Sequence, residues 1–388
     1  MANDNNNHRS GILMPKPSRF NAPETYFSTK FRDGYFTGQN HPIAFQPAFI
    51  KHLKPTYDAE IDDIEIDLYS GSNEFFEKPV TTSFDVMLDY MIDQRTRKHQ
   101  SLETIVHNSS VVTRRGVLNK LLNAPYKDAS EFKFAVKKFR GIFFIKELET
   151  LSFLQRQKIY IPQSPLMFLT KFKHLLTSLR SDKDYDPPKE VCSWEQNQGL
   201  FQCELRKLSD SGGMKIFYGS EIDAMDKEYN FLEIKLLHGQ LEPRIDSPHL
   251  CEKIRKWYFQ SKLVQSETVV VGFREYTVVN SVKKLKVDTF PNMVNTQYKW
   301  NPDTCYSAPL SVISTVCEFY DKNVKEDETL VVELKPFTAD LTYLICHDGI
   351  HTVLSKKFKD AFSNPGGGCV VQTGEGFMDG ALKKRFSV

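Results

Sequence analysis

The segments KIFYGSEIDA (residues 215–224), MDKEY (225–229) and NFLEIKLL (230–237) decide how this chain folds. Polar and apolar residues alternate through both outer segments, as in strands with one buried face, and the charged stretch between them predicts an antiparallel hairpin. Residues two apart in a strand share a face, so Glu221 and Asp223 project together, roughly 7 Å apart at the base, with Ile222 and Ala224 opposite. Glu233 and Lys235 repeat the arrangement on the return arm, while Leu232, Ile234 and Leu236 face the core. One hairpin face gathers three carboxylates and an ammonium.

Outward from this hairpin, residues 201–208 read as a preceding strand, and residues 248–263 as a helix with Ser247 able to cap it and Pro248 at its first position. TVVVGF (268–273) is a continuous apolar, β-branched run that suits a central strand covered on both faces. Upstream, residues 84–100, 117–122 and 165–179 carry helical spacing, and residues 136–149 read as a strand through 142–145. LVVEL (330–334) and LTYLI (341–345) read as strands, with a helix near 306–321. The expected fold is α+β, a single domain with a mixed, largely antiparallel sheet flanked by helices. Residues 1–18, Asn-rich with two prolines, read as a flexible tail before a domain over 19–388.

Composition bounds the rest. A chain of 388 residues, 40% apolar, can bury a large core. Lys plus Arg number 51 against 49 Asp plus Glu, so any basic surface for a polyanion must be local. Seven scattered cysteines (192, 203, 251, 305, 317, 346, 369) without a C-x-x-C pair suit a reducing compartment and argue against structural zinc. With no secretory signal and no apolar run of membrane-spanning length, the expectation is a soluble, intracellular protein without a membrane partner. His347 and His351 flank Gly349 in a strand-to-loop sequence and make poor metal ligands, and the glycine-rich stretch 364–377 lacks the ending of a phosphate loop.

The hairpin's residue types fit phosphoryl transfer. Hard carboxylate oxygens hold Mg²⁺ or Mn²⁺, and a nearby lysine orients water or neutralises charge on the phosphate. The plain alternative is a solvated hairpin face. Company favours the chemistry: Lys253, Lys256 and Gln260 form a basic, amide-bearing stripe on the following helix, suited to a phosphate backbone, and Gly272 and Arg274 follow at the end of the central strand.

E-I-D (221–223), E-I-K (233–235), K-W-Y-F-Q-S (256–261) and G-F-R (272–274), in that order and spacing, resemble the DXO family of eukaryotic RNA 5′-end decapping nucleases. VTRRGVLNKLLNAP (112–125) resembles the family's arginine motif, and YKWNP (298–302) a later segment, so the resemblance covers about residues 105–310. It implies a mixed sheet core with a deep pocket, two divalent ions, and action in nucleus or cytoplasm on RNA 5′ ends bearing a triphosphate, an incomplete cap or a nucleotide cap. It also implies that Glu221, Asp223, Glu233 and the Ile234 carbonyl ligate metal, that Lys235 and Gln260 contact the scissile phosphate or its water, and that Arg115 binds RNA phosphates. Some relatives bind a larger exonuclease, a partner this sequence does not identify. The E-x-D…E-x-K arrangement also recurs in nucleases of DNA.

One departure stands out. The family has a G-aromatic-x-aromatic-E motif whose glutamate joins the metal site, and the segment in that place is LTKFK (169–173), with Lys173 where the acid is expected. An ammonium for a carboxylate changes the local charge by two units and weakens one ion. Glu147 and Glu149 are the candidates to supply the missing carboxylate. Two functions follow: a metal-dependent hydrolase of RNA 5′ ends, with one ion or two, and a catalytically impaired 5′-end-binding or regulatory paralogue.

Overall fold

A computed structural model describes residues 25–37, 51–70, 83–126, 129, 131–150, 165–178, 196–242, 244–335, 340–349 and 351–363. The tail over 1–18 and the glycine-rich stretch 364–377 lie outside them.

The fold is α+β, with two mixed sheets where the sequence suggests one. The first runs β1 (Thr25–Thr37), β8 (Gln196–Lys207), β9 (Met214–Ile222), β4 (Val111–Arg114), β6 (Ile142–Leu148), β5 (Phe132–Phe139), β14 (Glu328–Lys335), β15 (Asp340–His347). The second runs β3 (Ile66–Asp67), β13 (Val278–Lys286), β12 (Thr268–Glu275), β11 (Phe231–His238), β10 (Ala224–Met225), β2 (His52–Leu53), β7 (Thr177–Ser178). Among the described residues every ladder is antiparallel except β9–β4, β4–β6, β11–β12 and β10–β2. The helices are α1 (Ser83–Lys98), α2 (Leu102–Ile105), α3 (Arg115–Asn123), α4 (Pro165–Leu176), α5 (Pro248–Leu263), α6 (Phe290–Met293), α7 (Pro302–Asn323) and α8 (Lys356–Ser363). Among the described residues no helix is long and apolar enough to cross a membrane.

Three apolar clusters hold these elements. The largest joins Val117 and Leu121 of α3, Ile254 and Trp257 of α5 and Val312 of α7 to residues of both sheets, including Ile216 and Val271. Met87 and Met91 of α1 and Phe358 of α8 cover the other face of the first sheet at Val112 and Phe144. Phe168, Phe172 and Leu176 of α4 cover Ile234 and Val270 of the second. Each large apolar side chain so buried contributes about 1.5–3 kcal/mol before chain entropy is counted.

The expected hairpin is the main correction. β9 belongs to the first sheet, and only Ala224 and Met225 pair with Leu232 and Phe231 of β11 in the second. The chain crosses between sheets at Asp223. Ile222 and Ala224 are buried as alternation predicts, but in different places, Ile222 in the large cluster and Ala224 in the α4 cluster, and Asp223 and Glu233 on the expected polar face are buried too. Residues 136–149 hide a second correction, since β5 and β6 form a hairpin around Arg140 and Gly141, both at positive φ (50° and 78°). Arg140 is an unusual residue for a tight hairpin turn, and both arms are buried on both faces at Ala135, Val136, Phe144 and Ile145, so alternation is lost. α5 starts where expected, with Pro248 in its first turn, but the Ser247 side chain makes no capping hydrogen bond.

Candidate active site

Parallel pairing of β4 and β9 sets the site. Arg114 lies opposite Gly219, so Arg115, the first residue of α3, and Glu221 leave the sheet at the same end. Just beyond, where the chain changes sheets, Asp223 Oδ2 accepts the Ile234 N–H at 2.8 Å in place of a ladder partner. A residue's N–H and C=O point the same way in a strand, so the Ile234 carbonyl faces Asp223 too.

Three cations meet the three carboxylates. Arg115 Nη1 and Lys235 Nζ each donate to a different oxygen of Glu233, whose side chain is wholly buried. Lys173 Nζ stands 2.9 Å from Glu221 Oε1 and 2.6 Å from Asp223 Oδ1. Burial alone would raise the Glu233 carboxyl, but the Arg115 and Lys235 charges outweigh it and hold the group at about 2. Burial opposes the charge on Lys173, yet Asp223 and Glu221 raise its pKa above the ordinary lysine value. The same ammonium lowers Glu221 against burial. Burial lifts Asp223 above its usual value, with Lys173 opposing and Glu233 adding to the rise.

The inward course of Lys173 follows from how α4 is seated. Phe172 is fully buried, and a Cβ at Gly272 of β12 would fall 2.4 Å from its ring. The glycine of G-F-R thus admits the Phe172 ring and fixes α4 on the sheet. Thr177 Oγ1 donates to the Lys173 carbonyl at 2.7 Å and closes the last turn. Lys173 is left with a side chain only 20% exposed, its ammonium aimed at the acids.

Lys173, Glu221, Asp223, Glu233, Lys235, Arg115 and the Ile234 backbone therefore meet in one place. Among the described residues, no hydrogen bond or ion pair links Gln260 or Lys256 to them. Gln260 is half-buried on α5, and Lys256 pairs with Glu252 one turn earlier. Glu147, exposed and paired with Lys120, and exposed Glu149 do not supply the missing carboxylate. His347 lies 3.8 Å from Asp327, far from this cluster in the fold. Arg114, which the motif does not single out, also belongs to the site: it donates to Gln198 Oε1 at 2.7 Å and feels the Glu221 charge. Its signal was the arginine doublet at a strand-to-helix junction.

The donor chemistry bears on metal binding. Among the described residues no three His, Cys, Asp or Glu side chains converge so as to hold an ion, and the ammonium of Lys173 occupies the space between Glu221 and Asp223. Asp223, Glu233 and the Ile234 carbonyl still offer a hard oxygen set for one divalent ion.

The sequence profile of the RAI1 like PD-(D/E)XK nuclease family matches residues 34–359. The chain is similar to decapping nuclease dom-3 of Caenorhabditis elegans, 23% identical over 71% of this chain and 69% of that protein. It is also similar to the decapping and exoribonuclease protein of Rattus norvegicus, 24% identical over 83% of this chain and 82% of the relative. In fold it is similar to Candida albicans Rai1, solved in complex with pU5 and Mn²⁺: TM-score 0.69 at 16% identity, over 90% of this chain and 99% of that one.

Proposed function

Because the chain belongs to the RAI1 like PD-(D/E)XK nuclease family, we propose that it is a decapping nuclease acting on RNA 5′ ends. It hydrolyses the first backbone phosphodiester or the 5′-terminal phosphoanhydride, with a triphosphate, an incomplete cap or a nucleotide cap as the substrate end. The observation that carries this reading is the convergence of Glu221, Asp223, Glu233 and Lys235 with Arg115 where β4, β9 and β11 meet. Asp223, Glu233 and the Ile234 carbonyl would hold a divalent ion, Mg²⁺ or Mn²⁺. Such an ion, when bound, supplies Lewis-acid polarisation and a more acidic water.

The chain's own groups do the rest. Lys235 donates to the attacked phosphate or orients its water, and Glu233, kept ionised at about 2, holds that ammonium in place. Arg115 exchanges its carboxylate for an RNA phosphate, a fork geometry that guanidinium suits. Gln260 and Lys256, on the same helix, approach the phosphate that follows.

A second reading, a 5′-end-binding protein with impaired turnover, is favoured by one observation: Lys173 ties up both Glu221 and Asp223. Incubating triphosphorylated, incompletely capped and nucleotide-capped RNAs with the protein and Mn²⁺ separates the two readings. Released 5′ products support the first; retention of intact RNA, with 5′-hydroxyl RNA rejected, supports the second. RNA neither bound nor cut removes both.

A further inference from the structure

The negative charge of the cluster is offset without any ion. Glu221, Asp223 and Glu233 carry three negative charges, the Lys173, Arg115 and Lys235 side chains that pair with them carry three positive ones, and Arg114 adds a further positive charge that Glu221 feels. Arg115 and Lys235 hydrogen-bond Glu233, and their charges reach Glu221 and Asp223 only through space. Lys173 is the cation in direct contact with the other two acids, so the attraction Glu221 and Asp223 would exert on a second divalent ion is largely taken up by an ammonium. A divalent ion placed beside Lys173 would meet twice the repulsion that a monovalent one meets.

The lysine is also built into its position. Phe172 in the space above Gly272, Leu176 buried one turn on, and the Thr177 bond to the Lys173 carbonyl fix the end of α4. An ammonium has three N–H donors. Glu221 and Asp223 accept two of them, which leaves one for an incoming oxygen.

We propose that Lys173 is a tethered cation in the place of one divalent ion, so that the chain binds a single Mn²⁺ or Mg²⁺ and the Lys173 ammonium meets the phosphate oxygens of the RNA 5′ end. The proposal rests on the reading of this cluster as a 5′-end site. It makes part of phosphate recognition independent of metal, because one of the positive charges that faces the phosphate is covalently part of the chain.

The test is Mn²⁺ stoichiometry of the full chain, read by calorimetry and by the electron paramagnetic resonance signal of free Mn²⁺, without RNA. The expected result is one ion for the wild type and two for Lys173→Glu. Two ions in the wild type overturn the proposal and leave the proposed function standing, as does one ion in both proteins. No ion in either overturns the proposal together with the metal-dependent reading. Should Lys173→Glu fail to fold, a wild-type count of two or none still overturns the proposal, and for a count of one Lys173→Met supplies the deciding arm. In EDTA, the wild type is expected to prefer 5′-monophosphorylated over 5′-hydroxyl single-stranded RNA, and Lys173→Met to lose about tenfold of that preference, as for one charge-assisted hydrogen bond. An unchanged preference in Lys173→Met contradicts the role assigned to the ammonium.

Discussion

Lys137 and Lys173, each paired with carboxylates, are held by opposite designs. Lys137 of β5, 3% exposed, donates to the Glu326 and Glu328 carbonyls and to Asp348 Oδ1 at 2.9 Å. Asp348 in turn accepts from Thr329 Oγ1 and Lys359 Nζ, each at 2.7 Å, beside a cavity of about 300 Å³. Backbone carbonyls at the start of β14 and in the turn before it take most of this ammonium's capacity, so no ligand can displace them cheaply. Around Lys173 the acceptors are all side chains, Glu221 and Asp223, and the neighbouring cations likewise hold side chains from β11. Side-chain partners can be exchanged for phosphate oxygens. The first arrangement closes a strand pair, and the second is open to substrate.

Breaking an acid in each cluster tests that contrast most strongly. Asp223→Ala is expected to lower RNA 5′-end turnover by at least ~100-fold, as for loss of a group that stabilises the transition state. Asp348→Ala should leave kcat/KM unchanged at a temperature where it stays folded. Stability reverses part of the ranking: Asp348→Ala leaves a buried ammonium without its carboxylate and should cost roughly 2–4 kcal/mol in urea unfolding. A fall in kcat/KM for Asp348→Ala would merge the two clusters into one functional unit.

The pH dependence sharpens the comparison. Burial works against the Asp348 charge, but the Lys359, Thr329 and Lys137 bonds hold the carboxyl at about 2 against an ordinary 3.8. A depressed carboxyl stabilises the fold above its unfolded pKa and loses that contribution as pH falls through the folded one. The stability difference between wild type and Asp348→Asn should thus be constant above about pH 5 and shrink between about pH 4 and 2. Glu233 titrates in the same window and cancels in this difference. The smallest effect is expected at the edge of the site: Lys256→Ala removes a partly exposed i,i+4 pair with Glu252, costing ~0.5 kcal/mol or less. If Lys256 touches RNA, the salt dependence of binding should fall by about one phosphate contact.

The elements that build the site were legible where local pattern and tertiary burial agree. The α5 helix begins in its first turn at Pro248, the apolar run at 268–273 is the interior strand β12, and Glu221, Asp223, Glu233 and Lys235 do meet. The crossing at Asp223 was not legible, because a period of two is the same whether a strand stays in its sheet or changes sheet. Arg115 holding Glu233 depends on the parallel register of β4 with β9, a long-range pairing that no local pattern encodes. Lys173 was legible as a departure from a motif. That its ammonium turns inward depends on Phe172 fitting above Gly272, a contact between residues a hundred positions apart.

The central claim is that this cluster acts on RNA 5′ ends, and product analysis of one 5′-triphosphate RNA, with and without Mn²⁺, tests it most directly. The expected result is release of pyrophosphate or of 5′ nucleotides by the wild type in Mn²⁺, and none by Asp223→Ala. RNA left intact by the wild type, or cut equally by Asp223→Ala, would contradict it.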